Sequence, residues 1–240
     1  MNGIVLMPDI PSTKEESAPM RIPEYRRPRD AEKGCTMKLY LIRHGESEAN
    51  RTASHAGWAQ VSLTAKGEEE AREVGVHLRE IPCDKIYTSD LRRAIQTHAL
   101  VMPDTAAEPS PLIREVHVGA LAGRRVADCT AEMGEDYLAA KRVFDFTAWG
   151  GENYAQFCTR ILAFLHQMAQ EDGTVFTFCH GGVIHAVLDM LFAGTLNDGA
   201  PVPTTIGIDK PAFACPNCGV FVFEHTKGKW KMRAWNCFDA

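Results

Sequence analysis

No stretch of the sequence is apolar for the roughly 20 residues that a membrane-spanning helix requires. Its longest apolar runs, such as Val175–Cys179 and Val183–Leu188, are far too short, so no membrane association is expected. A basic excess is missing too. The 26 Lys and Arg face 31 Asp and Glu, a formal net charge of −5, which is the wrong sign for a general nucleic-acid binder. Of the eight cysteines only Cys215 and Cys218 are close neighbours, in a 240-residue chain long enough to bury a core without staples. Reduced thiols are therefore expected. The N-terminus has a single short apolar run, Ile4–Met7, with no basic residue ahead of it, and so lacks the plan of a secretory signal. A cytoplasmic location is the resulting expectation. No internal repeat is visible, and oligomeric state is not legible.

What is present is ordinary globular composition, 45% hydrophobic and 24% charged. Residues 1–36 hold five of the thirteen prolines and show no helical or strand period, so they read as a flexible tail. Its six basic and six acidic residues cancel, which assigns all of the net −5 to residues 37–240. Met37 opens directly onto a strand-like run and is a candidate translation start.

From Met37 apolar strands alternate with amphipathic segments. Strands are expected at 37–43, 85–88, 106–108, 175–179, 204–208, 218–224 and 230–235. Helices are expected at 64–80, with Thr64 and Glu68 near capping-box spacing, and at 90–101 behind Ser89 as N-cap. Further helices are read at 135–144, 152–170 and 182–192. This alternation predicts a three-layer α/β/α sandwich with a mostly parallel central sheet.

Two of the most apolar strands end alike. LeuTyrLeuIleArgHisGly occupies 39–45 and ValPheThrPheCysHisGlyGly occupies 175–182. Ligands of such folds bind at strand ends, glycine admits close backbone approach, and a following helix N-terminus favours anions. Arg43, at the end of an apolar strand, needs a partner such as phosphate or carboxylate, for which Glu46 is the local alternative. Arg92 and Arg93 stand near a helix N-terminus, where cations oppose the macrodipole, a placement that helix stability alone would not select.

These residues resemble the histidine phosphatase superfamily, which includes the cofactor-dependent phosphoglycerate mutases. ArgHisGlyGluSerGluAlaAsn at 43–50 is similar to the family signature. SerLeuThrAlaLysGly at 62–67, TyrThrSerAspLeuArgArgAlaIleGlnThr at 87–97, LeuIleArgGlu at 112–115, GlyGlyGlu at 150–152 and CysHisGlyGlyValIle at 179–184 follow in the family's order. The resemblance spans residues 37–240 and implies a single catalytic domain of phosphoglycerate mutase-like fold. It implies that His44 is the nucleophile of a phosphohistidine mechanism and that Glu115 is the proton donor and acceptor. Arg43, Arg93 and His180 would surround the phosphoryl oxygens, with Asn50 a neutral donor and Gly181 part of the phosphate cradle. Arg93 is preferred to Arg92 because it directly precedes Ala94. No metal or cofactor is called for. Glu152 matches a family position too, and is read as a helix N-terminal charge supported by Arg160.

The mutases of that family carry a long insertion before the second histidine and tend to have HisGlyAsn there. Here 64 residues separate Glu115 from His180, and 180–182 is HisGlyGly, so the expectation is a phosphomonoester hydrolase acting on a small phosphorylated metabolite. Mutase-type phosphotransfer and a non-catalytic phosphate binder are the alternatives. GlyGluSerGluAla at 45–49 imitates a nucleophile elbow around Ser47, but it follows the first strand, the wrong order for an α/β-hydrolase. Cys215 and Cys218 with His225 and Cys237 form a second decoy, a zinc-like spacing read here as structural cysteines. The irregular stretch 116–150 would set specificity, with Arg124, Arg125, Lys141 and Arg142 as candidate second-anion contacts and Phe144, Phe146 and Trp149 as candidate walls.

Overall fold

Period-two alternation sorts the first strand, β1 (Thr36–Arg43), between two apolar layers in a computed structural model that describes residues 36–207 and 213–236. Leu39 and Leu41 enter one core and Ile42 the other. The tail expected at 1–36 lies outside the described residues apart from Thr36, as does Cys237.

The remaining elements follow in chain order as α1 (Glu48–Arg51), α2 (Ala65–Leu78), β2 (Lys85–Thr88), α3 (Arg92–Val101) and β3 (Glu108–Pro109). Then come α4 (Val126–Val143), α5 (Tyr154–Met168), β4 (Gly173–Cys179), α6 (Gly181–Phe192), α7 (Thr195–Asp198), β5 (Val220–Thr226) and β6 (Lys229–Trp235). The six-stranded sheet has the order β3-β2-β4-β1-β5-β6. Its first four strands are parallel, and β5 and β6 form an antiparallel edge. The β5–β6 turn places Lys227 and Gly228 at positive φ (51° and 71°), the geometry that matches strand twist in a two-residue hairpin.

Helices α2 and α3 bury Ala71, Val74, Leu78 and Val101 on the face that holds Ile42, Phe176 and Phe178. Helices α5 and α6 cover the opposite face with Phe157, Ile161, Phe164, Val183 and Val187. The helices following the adjacent strands β1 and β4 thus leave to opposite faces, which opens a crevice at their C-terminal ends.

Several element boundaries differ from expectation for local reasons. Thr64 does cap α2 by accepting from the Gly67 N–H, but Glu68 pairs with Arg72 instead of closing a capping box. Helix α3 begins at Arg92 behind Leu91; the Ser89 hydroxyl accepts from the Leu91 N–H at 3.4 Å and also meets His180 at 2.8 Å, outside the helix. Helix α4 starts nine residues before the expected 135, and its period is broken at Gly134 (φ 58°, ψ −134°), which hid its first half. The expected strand at 204–208 does not form over 204–207; the Gly207 N–H is spent on the Asp189 carboxylate instead of a ladder.

Candidate active site

The register pairing Arg43 with Cys179 carries the two strands forward together, so the histidines that follow them lie side by side. The rings of His44 and His180 are edge to face with centroids 5.2 Å apart. Past His44 the chain packs against the first turn of α2 without room for side chains. A Cβ on Gly45 would lie 2.2 Å from the Gly67 carbonyl oxygen, and one on Gly67 would lie 2.0 Å from that of Glu46.

His44 is buried and its protonation is dictated by its partners. Nδ1 lies 2.7 Å from the Gly45 carbonyl oxygen, which can only accept, so Nδ1 carries the proton. Nε2 lies 3.2 Å from Arg93 Nε, which can only donate, so Nε2 presents its lone pair. Burial, followed by the charges of Arg93 and Arg43, holds this imidazole well below the ordinary histidine range. The result is a neutral ring with an unprotonated nitrogen at the cleft.

Arg93 is 1% exposed, and its other two nitrogens donate to the carbonyls of Ala59 (3.2 Å) and Gly57 (3.0 Å). Burial lowers its pKa to about 10, which leaves the guanidinium charged at neutral pH. Arg92 on the neighbouring position is exposed, so the two arginines have different surroundings. Arg43 donates one terminal nitrogen to the Cys215 carbonyl, while its buried Nε has no protein partner.

Glu115 reaches the cleft from the segment after a short 3₁₀ turn at Pro111–Ile113. One carboxylate oxygen accepts from the Val116 N–H at 2.9 Å, and the other from the Gly182 N–H at 3.2 Å, in the first turn of α6. A Cβ at Gly182 would stand 2.1 Å from the Glu115 carboxylate, so this seat exists only because residue 182 is glycine. Asn50 closes α1's capping box: its side-chain oxygen accepts from the Ser47 N–H and hydroxyl, which leaves its amide NH₂ as the group offered to the cleft. That contact also explains Ser47, whose hydroxyl serves the helix cap and meets no histidine.

Arg43, His44, Asn50, Arg93, Glu115 and Gly181 together line one cleft of about 350 Å³. His180 is fully buried behind that surface. Its Nε2 is 2.8 Å from Ser89 Oγ, its Nδ1 has no protein partner, and burial with Arg93 nearby holds its pKa well below the ordinary value.

Two supporting residues, Ser89 in this role and Trp58, escape sequence reasoning, and Glu152 and Arg160 do more than the helix-end pairing expected of them. Ser89 reads as a helix cap, yet it orients His180. Trp58 donates its indole N–H to the Glu115 carbonyl at 2.7 Å, with Arg114 stacked 4.7 Å from its ring. Arg160, from α5, holds the carbonyls of Leu112, Arg114 and Glu115 and pairs with the Glu152 carboxylate at 2.6 Å. Glu152 also accepts from the His117 N–H, so beyond its place before α5 it ties the Glu115 segment to that helix. Apart from the Glu152–Arg160 pair, 8 residues apart, these hydrogen bonds join positions 35 to 91 residues apart and no short-range pattern marks them.

The stretch 116–150 forms one wall of the cleft. Phe144, the left-handed C-cap of α4 (φ 57°), packs its ring against Phe146 and Tyr154 at 5.7 and 5.9 Å. A non-glycine residue there costs about 1–2 kcal/mol, a strain offset by the buried aromatic contacts. Trp149 packs on Tyr137 beneath this wall and does not line the cleft. Elsewhere, burial pushes the Cys215 and Cys218 thiols up to about 12, and His225 packs on Trp230 at 5.0 Å. Among the described residues no helix is long and apolar enough to cross a membrane.

Residues 39–238 match the histidine phosphatase superfamily (branch 1), and the chain belongs to that family. Among curated proteins it is similar to a 2,3-bisphosphoglycerate-dependent phosphoglycerate mutase of Treponema denticola, 40% identical over 107 residues. That match covers 42% of this chain and 43% of the relative, so the similarity spans less than half the length of the curated relative. Among solved structures the chain resembles a putative alpha-ribazole-5'-P phosphatase from Escherichia coli K-12, with 25% identity and a TM-score of 0.67. This likeness covers 82% of the chain and 95% of the neighbour. A phosphoglycerate mutase from Bacillus anthracis shares the fold, with a TM-score of 0.70 at 22% identity, over 87% of this chain and 96% of that one.

Proposed function

We propose that the protein is a phosphomonoester hydrolase that works through a phosphohistidine at His44 on a small phosphorylated metabolite. The observation that carries this reading is the tautomer of His44: Nδ1–H is bound by the Gly45 carbonyl, and Nε2 offers a lone pair inside a cleft lined by two arginines. In the first step Nε2 forms a bond to phosphorus while the ester P–O bond breaks, and a protonated Glu115 gives its proton to the leaving alkoxide. In the second step Glu115 takes a proton from water, whose oxygen attacks phosphorus and returns His44 to its neutral form. Arg93, the unpartnered Nε of Arg43 and the Asn50 amide stabilise the equatorial oxygens throughout. The Arg93 Nε–H on His44 must then turn to the phosphoryl group as substrate enters.

The cleft's size suits a compact ester over a long polyanion. The mutase reading draws on the names of the curated relatives, but the glycine at 182 and the short span from Glu115 to His180 favour hydrolysis. Purified protein is expected to release inorganic phosphate from a small phosphomonoester and to carry a base-stable phosphoryl label on His44. His44→Ala should lower turnover by about 10⁴-fold or more. Unchanged turnover in that variant overturns the mechanism, and isomerisation of phosphoglycerates without phosphate release moves the assignment to a mutase.

A further inference from the structure

The proton on His44 Nδ1 is held by a main-chain carbonyl, so whatever fixes that carbonyl also fixes the ring. The peptide between Gly45 and Glu46 carries this carbonyl on one side and an N–H on the other, and the N–H donates to Glu70 Oε2 at 2.8 Å. A carboxylate of α2 is thereby joined to the buried imidazole through a single peptide group. Glu70 itself does not line the cleft. It lines a separate groove with Asn217 and Cys218, and so reaches the reacting atoms only through the backbone.

Neutral groups hold the rest of this backbone. The Gly45 N–H donates to Thr97 Oγ1 at 3.1 Å, and the His44 carbonyl accepts from the Cys218 N–H and the Asn217 amide, both at 3.3 Å. The other oxygen of Glu70 lies 3.5 Å from Lys66 Nζ, an exposed ammonium shared with Glu46, and a surface pair of that kind contributes little. The shorter bond is the one to the backbone. When Nε2 bonds to phosphorus and the ester P–O bond breaks, Nδ1 keeps its proton and the ring becomes an imidazolium. Positive charge thus develops opposite the Gly45 carbonyl. A carboxylate on the far N–H polarises the peptide and makes that carbonyl a stronger acceptor, because hydrogen bonds in series reinforce one another.

We infer that Glu70 is a positioning residue for His44: through the Gly45–Glu46 peptide it holds the carbonyl on Nδ1 and stabilises the charge that the ring gains on phosphorylation. The rate effect presupposes the hydrolase reading, whereas the hydrogen-bond effect does not. Two measurements on the full chain test it. Single-turnover release of nitrophenolate from 4-nitrophenyl phosphate, with enzyme in excess, gives the maximal rate of His44 phosphorylation and its half-saturating concentration. Glu70→Gln keeps an acceptor without the charge and should lower the maximal rate about fivefold. Glu70→Ala frees the peptide and should lower it about 50-fold, with half-saturation unchanged. Lys66→Met, which removes only the surface pair, should keep the wild-type rate. In protein with isotope-labelled histidine, the Nδ1–H proton of His44 should move upfield in the order wild type, Glu70→Gln, Glu70→Ala, as its acceptor weakens. A wild-type rate in Glu70→Ala, an unmoved Nδ1–H resonance, or an equal loss in Lys66→Met overturns the proposal. Failure of the hydrolase reading shows separately, as no nitrophenolate release by the wild type while the resonance still shifts with residue 70.

Discussion

The floor of the cleft and its wall solve the problem of holding cations in opposite ways. On the floor, Arg93 is buried and every nitrogen of its guanidinium has an acceptor, two of them backbone carbonyls, so its position is set by the main chain. On the wall, Arg125 and Arg142 are 62% and 63% exposed and pair with acidic residues of their own helix. Exposed pairs of that kind contribute about 0–1 kcal/mol, whereas a buried charge stripped of its partner costs several. The floor cation is therefore anchored by the main chain through two of its nitrogens, leaving the third to turn from His44 to charge that develops during phosphoryl transfer. The wall can change its residues cheaply, which is where a substrate's non-reacting end would be read.

The sharpest way to break this contrast is at the junction of the two regions. Arg160→Met removes a guanidinium 8% exposed that joins Glu152 to the carbonyls of 112, 114 and 115. A loss of about 3–5 kcal/mol in unfolding free energy is expected, measured by chemical denaturation. A loss below about 1 kcal/mol would place Arg160 with the wall's exposed pairs.

Next in size is Gly182→Ala. Its Cβ displaces the Glu115 carboxylate, and kcat on an alkyl phosphate should fall by about 10²-fold. The loss should be much smaller on 2,4-dinitrophenyl phosphate, whose leaving group needs no proton. Equal losses on both esters would mean general damage to the floor and not a displaced acid.

The smallest effect is a pH dependence of stability. Both His44 and His180 have folded pKa values held below the ordinary 6.5 by burial. The unfolded chain then binds more protons than the folded one as pH falls through 6.5, so stability present above that value declines below it. The melting temperature should drop on acidification from pH 7 to 5.5, and the drop should be reduced in His44→Asn. A flat profile would show that the two rings are not held neutral. Stability is the cleaner readout, because a phosphomonoester substrate itself titrates near pH 6.

Legibility from sequence followed the same division. The strand-end pattern at 39–45 and 175–182 and the cleft positions of Arg93 and Asn50 were legible because each sits at a strand end or in a first helical turn, whereas Glu115, after a 3₁₀ turn, was legible only through the resemblance of its LeuIleArgGlu block. Ser89 was misread as a cap because a serine before a helix commonly is one, and only the β2–β4 pairing brings it to His180. Trp58 left no local signature, Arg160 was legible only as the partner of Glu152, and α4 was half hidden by the break at Gly134. The four cationic candidates of 116–150 were equivalent in sequence and became distinct only when ion pairs removed three of them.

The sequence by itself determined the alternation of strands and helices, the two histidines at strand ends and the family. These depend on periodicity and on residues adjacent in the chain. The tautomer of His44 is set by the Gly45 carbonyl next to it in the chain together with Arg93 of α3, whereas tertiary structure alone decided why residue 182 is glycine and which cation faces the cleft. A steric gap and an unpaired charge are properties of neighbours in space, here Glu115 against Gly182 and the ion pairs along α4.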